Sequence, residues 1–383
     1  MKKQLSLPPQ RDNQSDSIYF DPSFSAALIA WQREHGRHAL PWQKTCDAYR
    51  IWLSEIMLQQ TQVAAVIPYY ERFLHRFPTV RSLAAAPIED VMTLWSGLGY
   101  YTRARNLHRC AQQVVHQYEG EFPSDPRLLQ ELPGIGRSTA AAISAFAYET
   151  KAAILDGNVK RVFARVFGID AYPGLKQVEN QLWLRAEALL PSYDIRSYTQ
   201  GLMDLGATLC TRSKPACGRC PFQTRCIAFA EQRTAELPVK KPKREQKEKQ
   251  TWMFLLEHDG DILLEQRPMS GIWGGLLSLP EFAGMQESSS ITQIALDSPE
   301  IQQFAMQFGE IHTCSKLPSL SHGFTHFRLQ IDVLYFHLAN RTTLLSDSRY
   351  AWAPLKQLEQ LALPAPVKTI LQELAVGRDR LQA

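Results

Sequence analysis

Apolar residues recur every three or four positions from Phe24 to about Phe229, which is the spacing of one face of an α-helix. Proline and glycine, including Pro68, interrupt this pattern and are expected to end helices. Alternation with a period of two is rare here. The pattern predicts an all-α region with helices near Ala26–His35, Tyr49–Val66, Val91–Ser96, Ala104–Tyr118, Ser138–Tyr148 and Val159–Phe167.

The pattern changes after residue 250. Thr251–Glu257 and Asp261–Gln266 flank a His-Asp-Gly turn and predict a β-hairpin. Phe324–Phe336 predicts one or two further strands, and Pro366–Val376 a closing helix. The predicted fold class is therefore multidomain, an all-α region followed by an α+β domain. The expected divisions are a flexible tail over 1–22, a helical region over 23–236, a basic linker over 237–250 and a second domain over 251–383.

Composition and charge narrow the class of protein. A chain of 383 residues is long enough for two or three domains. No apolar run has the length of about 18–20 residues that a membrane span needs, and the N-terminus lacks the apolar stretch of a signal peptide. The seven cysteines fit poorly with a fully paired disulfide framework, so we expect a cytoplasmic protein without membrane contacts.

The basic charge is concentrated before the second domain. Residues 240–249 contain six basic and two acidic side chains, whereas 251–383 contain nine basic and fourteen acidic ones. This asymmetry favours a polyanionic partner bound mainly by the first region. Uneven solvation of the surface would explain the same distribution.

Four cysteines form the strongest chemical signal. Cys210, Cys217, Cys220 and Cys226 have the spacing Cys-x6-Cys-x2-Cys-x5-Cys. Soft thiolates at such short spacing favour an iron–sulfur cluster, a [4Fe–4S] centre above all, with zinc or unligated thiols as alternatives. Arg212 and Lys214 lie between the first two cysteines, where an ordered loop would direct them to phosphates. They would otherwise be ordinary surface charges.

A glycine-rich turn precedes one predicted helix. In Leu132-Pro133-Gly134-Ile135-Gly136, the two glycines leave backbone N–H groups open to a phosphate. The helix that starts at Ser138 would add a favourable dipole at this point. The pattern predicts a helix-hairpin-helix element that contacts a nucleic-acid backbone, although a plain turn between helices has the same signature.

Two carboxylates lie in suggestive positions. Glu55 is flanked by Ile56 and Met57, and a carboxyl near apolar groups has a raised pKa and can donate a proton at neutral pH. Asp156 precedes a helix that begins near Asn158. One protonated and one ionised carboxyl group are what cleavage of an N-glycosidic bond requires. The alternative interpretation takes each residue on its own: Glu55 would be an ordinary surface acid, and Asp156 would be a helix N-cap.

The chain resembles the MutY-type adenine DNA glycosylases of the helix-hairpin-helix superfamily along nearly its whole length from about residue 24. The resemblance rests on the cysteine spacing and on the motifs LSEIMLQQTQV, GLGYYTRARNL, LPGIGRSTAAAI and LDGNVKRV, in that order. It implies a six-helix barrel, a lobe with a [4Fe–4S] cluster, and removal of adenine mispaired with 8-oxoguanine or guanine from double-stranded DNA. The adenine is expected to be flipped out of the helix.

The resemblance also assigns roles to individual residues. Glu55 is expected to be the general acid, Asp156 to stabilise the oxocarbenium ion, and Asn158 to orient them. Leu40, Trp42 and Gln43 match the adenine pocket. The expected contacts with the duplex are Gln60, Thr61, Leu98, Tyr100, Gly134, Gly136, Ser138, Arg212 and Lys214.

Two further features follow from the same resemblance. Ser138 stands where bifunctional relatives have a lysine, and a serine cannot form a Schiff base, so a monofunctional glycosylase is expected. The second domain resembles a Nudix-like 8-oxoguanine recognition domain, with Phe324, Thr325 and His326 as its recognition segment. It lacks the glutamate-rich box of a Nudix hydrolase.

Three other functions remain open from the sequence: a bifunctional pyrimidine-lesion glycosylase, a non-catalytic redox-sensing iron–sulfur protein that binds DNA, and a nucleotide pyrophosphatase fused to a DNA binder. Ser138, the paired acids Glu55 and Asp156, and the missing Nudix box argue against them in that order. We expect a monomer, and the resemblance leaves room for contacts with other repair proteins.

Overall fold

The computed structural model describes residues 19–242, 247–281, 299–324, 326–342 and 347–382. The chain divides into two compact units. Unit 1 contains residues 1–85 and 106–242, and unit 2 contains residues 86–105 and 243–383. Most of the predicted tail, part of the linker and Thr325 therefore lie outside the described residues.

The helices follow from local signals in the sequence. The first begins at Pro22 because Asp21 caps it, accepting hydrogen bonds from the backbone N–H groups of Ser23 and Phe24. The helices are α1 Pro22–His35, α2 Ala48–Leu58, α3 Val63–Arg76, α4 Val80–Ala85, α5 Ile88–Trp95, α6 Thr102–Gln117, α7 Pro126–Gln130, α8 Arg137–Tyr148, α9 Gly157–Val166, α10 Lys176–Ala188, α11 Ile195–Asp204, α12 Ile227–Ala230, α13 Pro299–Met306 and α14 Ala365–Gln382. Within the described ranges, none of them combines the length and apolar character that crossing a bilayer needs.

One core of unit 1 joins the two ends of the helical region. Phe24 of α1 stacks on Phe222, which follows the cysteine segment, with ring centroids 4.2 Å apart. Residues of α9, α10 and α11 pack into the same buried cluster. The lobe that carries the cysteines is thus built from both ends of this region.

Unit 2 contains a mixed sheet of six strands in the described residues. The strands are β1 Lys247–His258, β2 Asp261–Gln266, β3 Leu277–Ser278, β4 Ile311–Gly323, β5 Phe327–Leu338 and β6 Tyr350–Pro354. Their order is β3-β2-β1-β5-β4, with β6 beside β2. Strands β1 and β2 are antiparallel and β1 and β5 are parallel. Phe254, Phe336 and Ile301 contribute to the core between the sheet and α13.

The structure confirms the predicted order of an all-α region and an α+β region, and it confirms the hairpin of β1 and β2. The predicted helix Tyr49–Val66 was wrong, because Gln60 has a φ of 58° and separates α2 from α3. Pro68 does not end a helix but lies inside α3. Strand β4 was not predicted.

The domain boundaries also differ from the prediction. Strand β1 begins at Lys247, inside the expected linker, because exposed residues such as Lys247 pair with β5 through their backbone. Composition cannot reveal such pairing. Residues 86–105 fall in unit 2, although they lie within the expected helical region.

Candidate active site and nucleic-acid interface

Unit 1 contains a cavity of about 290 Å³, near the lower end of the size range for small-molecule pockets. Trp42 forms part of its wall and packs edge-on against Tyr70, with ring centroids 5.4 Å apart. The residues predicted for the adenine pocket meet the predicted general acid here. Its lining includes Leu40, Trp42, Gln43, Glu55, Arg196 and Gln200.

Glu55 projects into this cavity from the apolar helix α2. Burial raises the pKa of its carboxyl group to about 8, and the negative charge of nearby Asp156 acts in the same direction. Its neighbours Ile56 and Met57 are buried, as their apolar character indicated. A carboxyl group in this state carries its proton at neutral pH.

Asp156 is the N-cap of α9 and accepts a hydrogen bond from the backbone N–H of Val159 at 2.8 Å. Burial raises the pKa of Asp156, whereas the backbone N–H groups of Val159 and Asn158, the Arg161 charge and the Asn158 side chain lower it. Glu55 has no comparable set of donors among the causes of its shift. Burial raises the pKa of both carboxyl groups, but hydrogen-bond donors oppose the shift only at Asp156.

Two arginines of α9 contact the cysteine segment, and one of them, Arg161, also contacts Asn158 beside Asp156. Arg161 donates to Asn158 Oδ1 at 2.8 Å and to the carbonyl of Cys210 at 2.8 Å. The backbone at residue 206 can lie this close to Asn158 only because residue 206 is glycine, since a Cβ there would be 2.5 Å from Asn158 Cβ. Arg165, one turn further, donates to Cys210 Sγ at 3.3 Å. Sequence reasoning missed both residues, although their i, i+4 spacing places them on one face of α9.

The cavity wall at residues 37–43 is fixed by hydrogen bonds. Gln43 accepts from the backbone N–H of Leu40 at 3.0 Å and donates to the carbonyl of Arg37 at 2.8 Å. Arg37 forms an ion pair with fully buried Asp204, with Nε and Oδ1 2.7 Å apart. The Gln43 amide therefore holds the loop. Gln200 also donates to Asp204 and was missed by sequence reasoning.

The glycine-rich turn joins α7 to α8. Gly134 has a φ of 80°, and Gly136 is the N-cap of α8 with nothing within 4 Å of an added Cβ. The Ser138 hydroxyl accepts a hydrogen bond from the backbone N–H of Leu155 at 3.0 Å, directly before Asp156. Ser138 thus contacts the backbone segment that immediately precedes Asp156. Gln60 and Thr61 lie in the turn between α2 and α3, where Gln60 is exposed.

The four cysteines line one small pocket of unit 1, together with Arg165. Burial and the charges of the other three cysteines raise the pKa of Cys220 to about 11, whereas a backbone hydrogen bond lowers it. Among the described residues, no three His, Cys, Asp or Glu side chains are arranged to hold a single metal ion. Arg212 and Lys214 are exposed on the adjoining loop.

Unit 2 brings together two of the residues predicted to contact the duplex or the opposite base, Tyr100 and Phe324. Tyr100, Trp273, His322 and Phe324 line a cavity of about 550 Å³. The rings of His322 and Phe324 are 4.8 Å apart and nearly perpendicular. Leu98 is buried in this structure, and its predicted contact with the duplex stays a prediction. His326 is exposed and Thr325 lies outside the described residues.

Comparisons with known proteins match both regions of the chain. A family model described as HhH-GPD superfamily base excision DNA repair protein matches residues 53–188, and a NUDIX domain model matches residues 251–373. Among solved structures, a thermostable thymine-DNA glycosylase is similar, with a TM-score of 0.50 and 29% identity. That match covers 57% of this chain and 98% of the other.

Curated relatives are similar over almost the whole chain. An adenine DNA glycosylase of Buchnera aphidicola (subspecies Acyrthosiphon pisum) is 36% identical over 350 residues, which cover 91% of this chain and 97% of the relative. The human adenine DNA glycosylase is 31% identical, covering 91% of this chain and 73% of its own length.

Proposed function

The chain belongs to the adenine DNA glycosylase family, an N-glycosyl hydrolase family of base excision repair, and from this premise we propose how it acts. The substrate is adenine mispaired with 8-oxoguanine or guanine in double-stranded DNA. The protein flips the adenine into the cavity of unit 1 and hydrolyses its N-glycosidic bond. Glu55 is the general acid, and Asp156 stabilises the cationic sugar.

One observation carries this proposal: Glu55 lines the cavity with a pKa raised to about 8 by burial. A protonated Glu55 donates its proton to the departing base, which makes the base a better leaving group. The ionised Asp156, supported by the backbone N–H of Val159, faces the positive charge that develops on the sugar. Asn158 and Arg161 orient this carboxylate.

The reaction stops at base removal. Strand cleavage by a bifunctional glycosylase starts with attack of an amine on the sugar. Ser138 has no amine, and its hydroxyl is bonded to the backbone N–H of Leu155. Its position supports a role in holding the segment before Asp156.

The opposite base is read by unit 2. The cavity lined by Tyr100, Trp273 and Phe324 offers aromatic faces on which a base can stack. Thr325 and His326 complete the proposed recognition segment. This assignment accounts for a NUDIX domain on a glycosylase chain.

The cysteine pocket holds a [4Fe–4S] cluster. Cys210, Cys217, Cys220 and Cys226 would be its ligands, and their convergence on one pocket with Arg165 close to Cys210 Sγ fits a thiolate-bound centre. The bound cluster would crosslink the loop that exposes Arg212 and Lys214. These cations and the N–H groups near Gly134 and Gly136 contact DNA phosphates.

The test is single-turnover base release from duplexes that contain A·8-oxoG, A·G or thymine glycol. We expect adenine release from the first two, and a decrease of about 10²–10⁴-fold in the Glu55→Gln variant, because an amide cannot act as the acid. Glu71→Gln, on an exposed position of α3, is the matched control and should retain wild-type rates.

Two outcomes would contradict the proposal. Adenine release that survives intact in Glu55→Gln rejects the assignment of the acid. Release of thymine glycol with efficient borohydride trapping on DNA favours a bifunctional pyrimidine-lesion glycosylase instead.

A further inference from the structure

The segment Gly97–Tyr100 of unit 2 has an unusual backbone. Gly97 has a φ of 100°, Gly99 of 71° and Tyr100 of 51°. Glycine adopts such angles readily, but a tyrosine seldom does. Surrounding contacts must therefore hold the loop in this shape. Tyr100, the last residue of the segment, is 49% exposed.

Arg103 lies beneath this loop. Its Nη2 donates to the carbonyl of Leu98 at 3.2 Å and to the carbonyl of Gly99 at 3.2 Å. Gly99 also accepts a hydrogen bond from Trp95 Nε1 at 3.1 Å. Two consecutive carbonyl groups are thus fixed by one guanidinium.

The same guanidinium contacts two aromatic rings. It lies 5.2 Å from the ring centroid of Trp95 and 5.4 Å from that of Tyr100. A planar guanidinium can donate in its plane and stack through its faces, which the ammonium of lysine cannot do. Arg103 thereby links the loop backbone to the exposed tyrosine ring.

The location of Arg103 is otherwise unfavourable. It is the second residue of α6, where the positive end of the helix dipole repels a cation. It is also 9% exposed, and burial lowers its pKa to about 10. A buried cation at a helix N-terminus is expected only where its contacts outweigh these costs.

We propose that Arg103 is a positioning residue that holds Gly97–Tyr100 in the conformation with which Tyr100 contacts the DNA duplex. The inference rests on the proposed function, which makes Tyr100 a duplex contact. Arg103 itself does not touch the base. Its effect is on binding of the mispair, and the bond-breaking step at Glu55 is unaffected.

The experiment is a double-mutant cycle on DNA binding in the full chain. Arg103→Lys, Arg103→Gln, Tyr100→Ala and the combined variants are prepared on a Glu55→Gln background, which separates binding from catalysis. Dissociation constants are measured for an A·8-oxoG duplex and a fully paired duplex. Arg109→Lys, exposed on the same helix, is the matched control.

We expect each Arg103 variant and Tyr100→Ala to weaken mispair binding by about tenfold, the range of one stacked base. The combined variants should be no weaker than Tyr100→Ala alone, because both changes remove the same contact. With Glu55 restored, single-turnover kinetics of Arg103→Lys should show a larger change in the half-saturating enzyme concentration than in the rate at saturation, which separates a loss of binding from a loss of chemistry.

Two results would show that Arg103 does not act through Tyr100 and would overturn the proposal. One is that the losses of mispair affinity from the Arg103 and Tyr100 changes multiply in the combined variants. The other is that Arg103→Lys binds the mispaired duplex as tightly as the parent. Thermal unfolding of each variant identifies a general loss of fold, which would weaken binding to both duplexes equally and also reject the proposal. Failure of adenine release in the wild-type protein contradicts the proposed function but leaves this binding cycle interpretable.

Discussion

At the scale of single residues, the difference in local environment between Glu55 and Asp156 is the central feature. Asp156 receives backbone hydrogen bonds as a helix N-cap, whereas Glu55 sits on an apolar helix with burial as the main influence. The fold therefore gives two identical functional groups different environments, which is the condition that the proposed acid and carboxylate roles require.

This asymmetry predicts the pH dependence of base release. If Glu55 is the general acid, its protonated form is required. Because burial raises its pKa to about 8, kcat/KM should then fall as the pH increases through about 8. At lower pH a second decrease should appear as Asp156 takes up a proton, and because burial raises the pKa of Asp156 this limb should lie above the range of an exposed aspartate. A single-turnover pH profile from pH about 5 to 10 measures both limbs. Activity that continues to increase above pH about 9 would contradict the assignment.

The sequence could predict these residues only in part. Glu55 was identified by its apolar neighbours and Asp156 by its place before a helix. Arg161, Arg165 and Asp204, which support the site, were not identified from the sequence. Each has a bonding partner more than thirty positions away: Cys210 for the two arginines and Arg37 for Asp204. No local pattern records such pairs, and they depend on the packing of α9 and α11.

At the scale of elements, helices were predicted better than strands. The helix α8 follows an apolar run after a glycine N-cap, and its prediction was nearly correct. Strand β4 was missed because its partly buried residues Cys314, Leu317 and Leu320 recur every third position. The register of β4 against β5 shifts between Leu317 and Leu320, and this bulge removes the expected alternation.

The cysteine segment yields an element-scale prediction. If it holds a [4Fe–4S] cluster, Cys217→Ser should lose iron, acid-labile sulfide and visible absorption, and should unfold at a lower temperature because the loop loses a crosslink. Cys46→Ser, at an exposed position, should retain all four properties. Metal analysis that finds zinc in the purified wild-type protein would contradict this expectation.

At the scale of the whole molecule, the grouping of residues 86–105 with unit 2 was the least predictable result. Ser96 Oγ and Tyr101 Oη both donate to the carbonyl of Leu363, at 3.2 Å and 3.3 Å. Arg105 Nη1 donates to the carbonyl of Gly274 at 2.5 Å. These contacts connect positions more than 160 residues apart, which no linear pattern indicates.

These bonds should contribute to stability. A full-length Ser96→Ala/Tyr101→Phe variant removes both donors to Leu363, and we expect the free energy of unfolding to fall by roughly 1–3 kcal/mol. Hydrogen exchange of the amides near Gly97 should become faster. Tyr193→Phe, at an exposed ring, is the control. Unchanged exchange in the double variant would show that other contacts anchor this segment.

The acceptors in these bonds are all main-chain carbonyls, at Gly274 and Leu363. A carbonyl is present whatever the side chain, so the bonds to Leu363 place no demand on the side chain at that position. Gly274 is restricted for another reason, because a Cβ there would lie 2.5 Å from the backbone oxygen of Met269. As far as these bonds are concerned, the side-chain constraint falls on the donors Ser96, Tyr101 and Arg105. Among relatives, we expect the three donor side chains to be retained and the side chain at position 363 to vary.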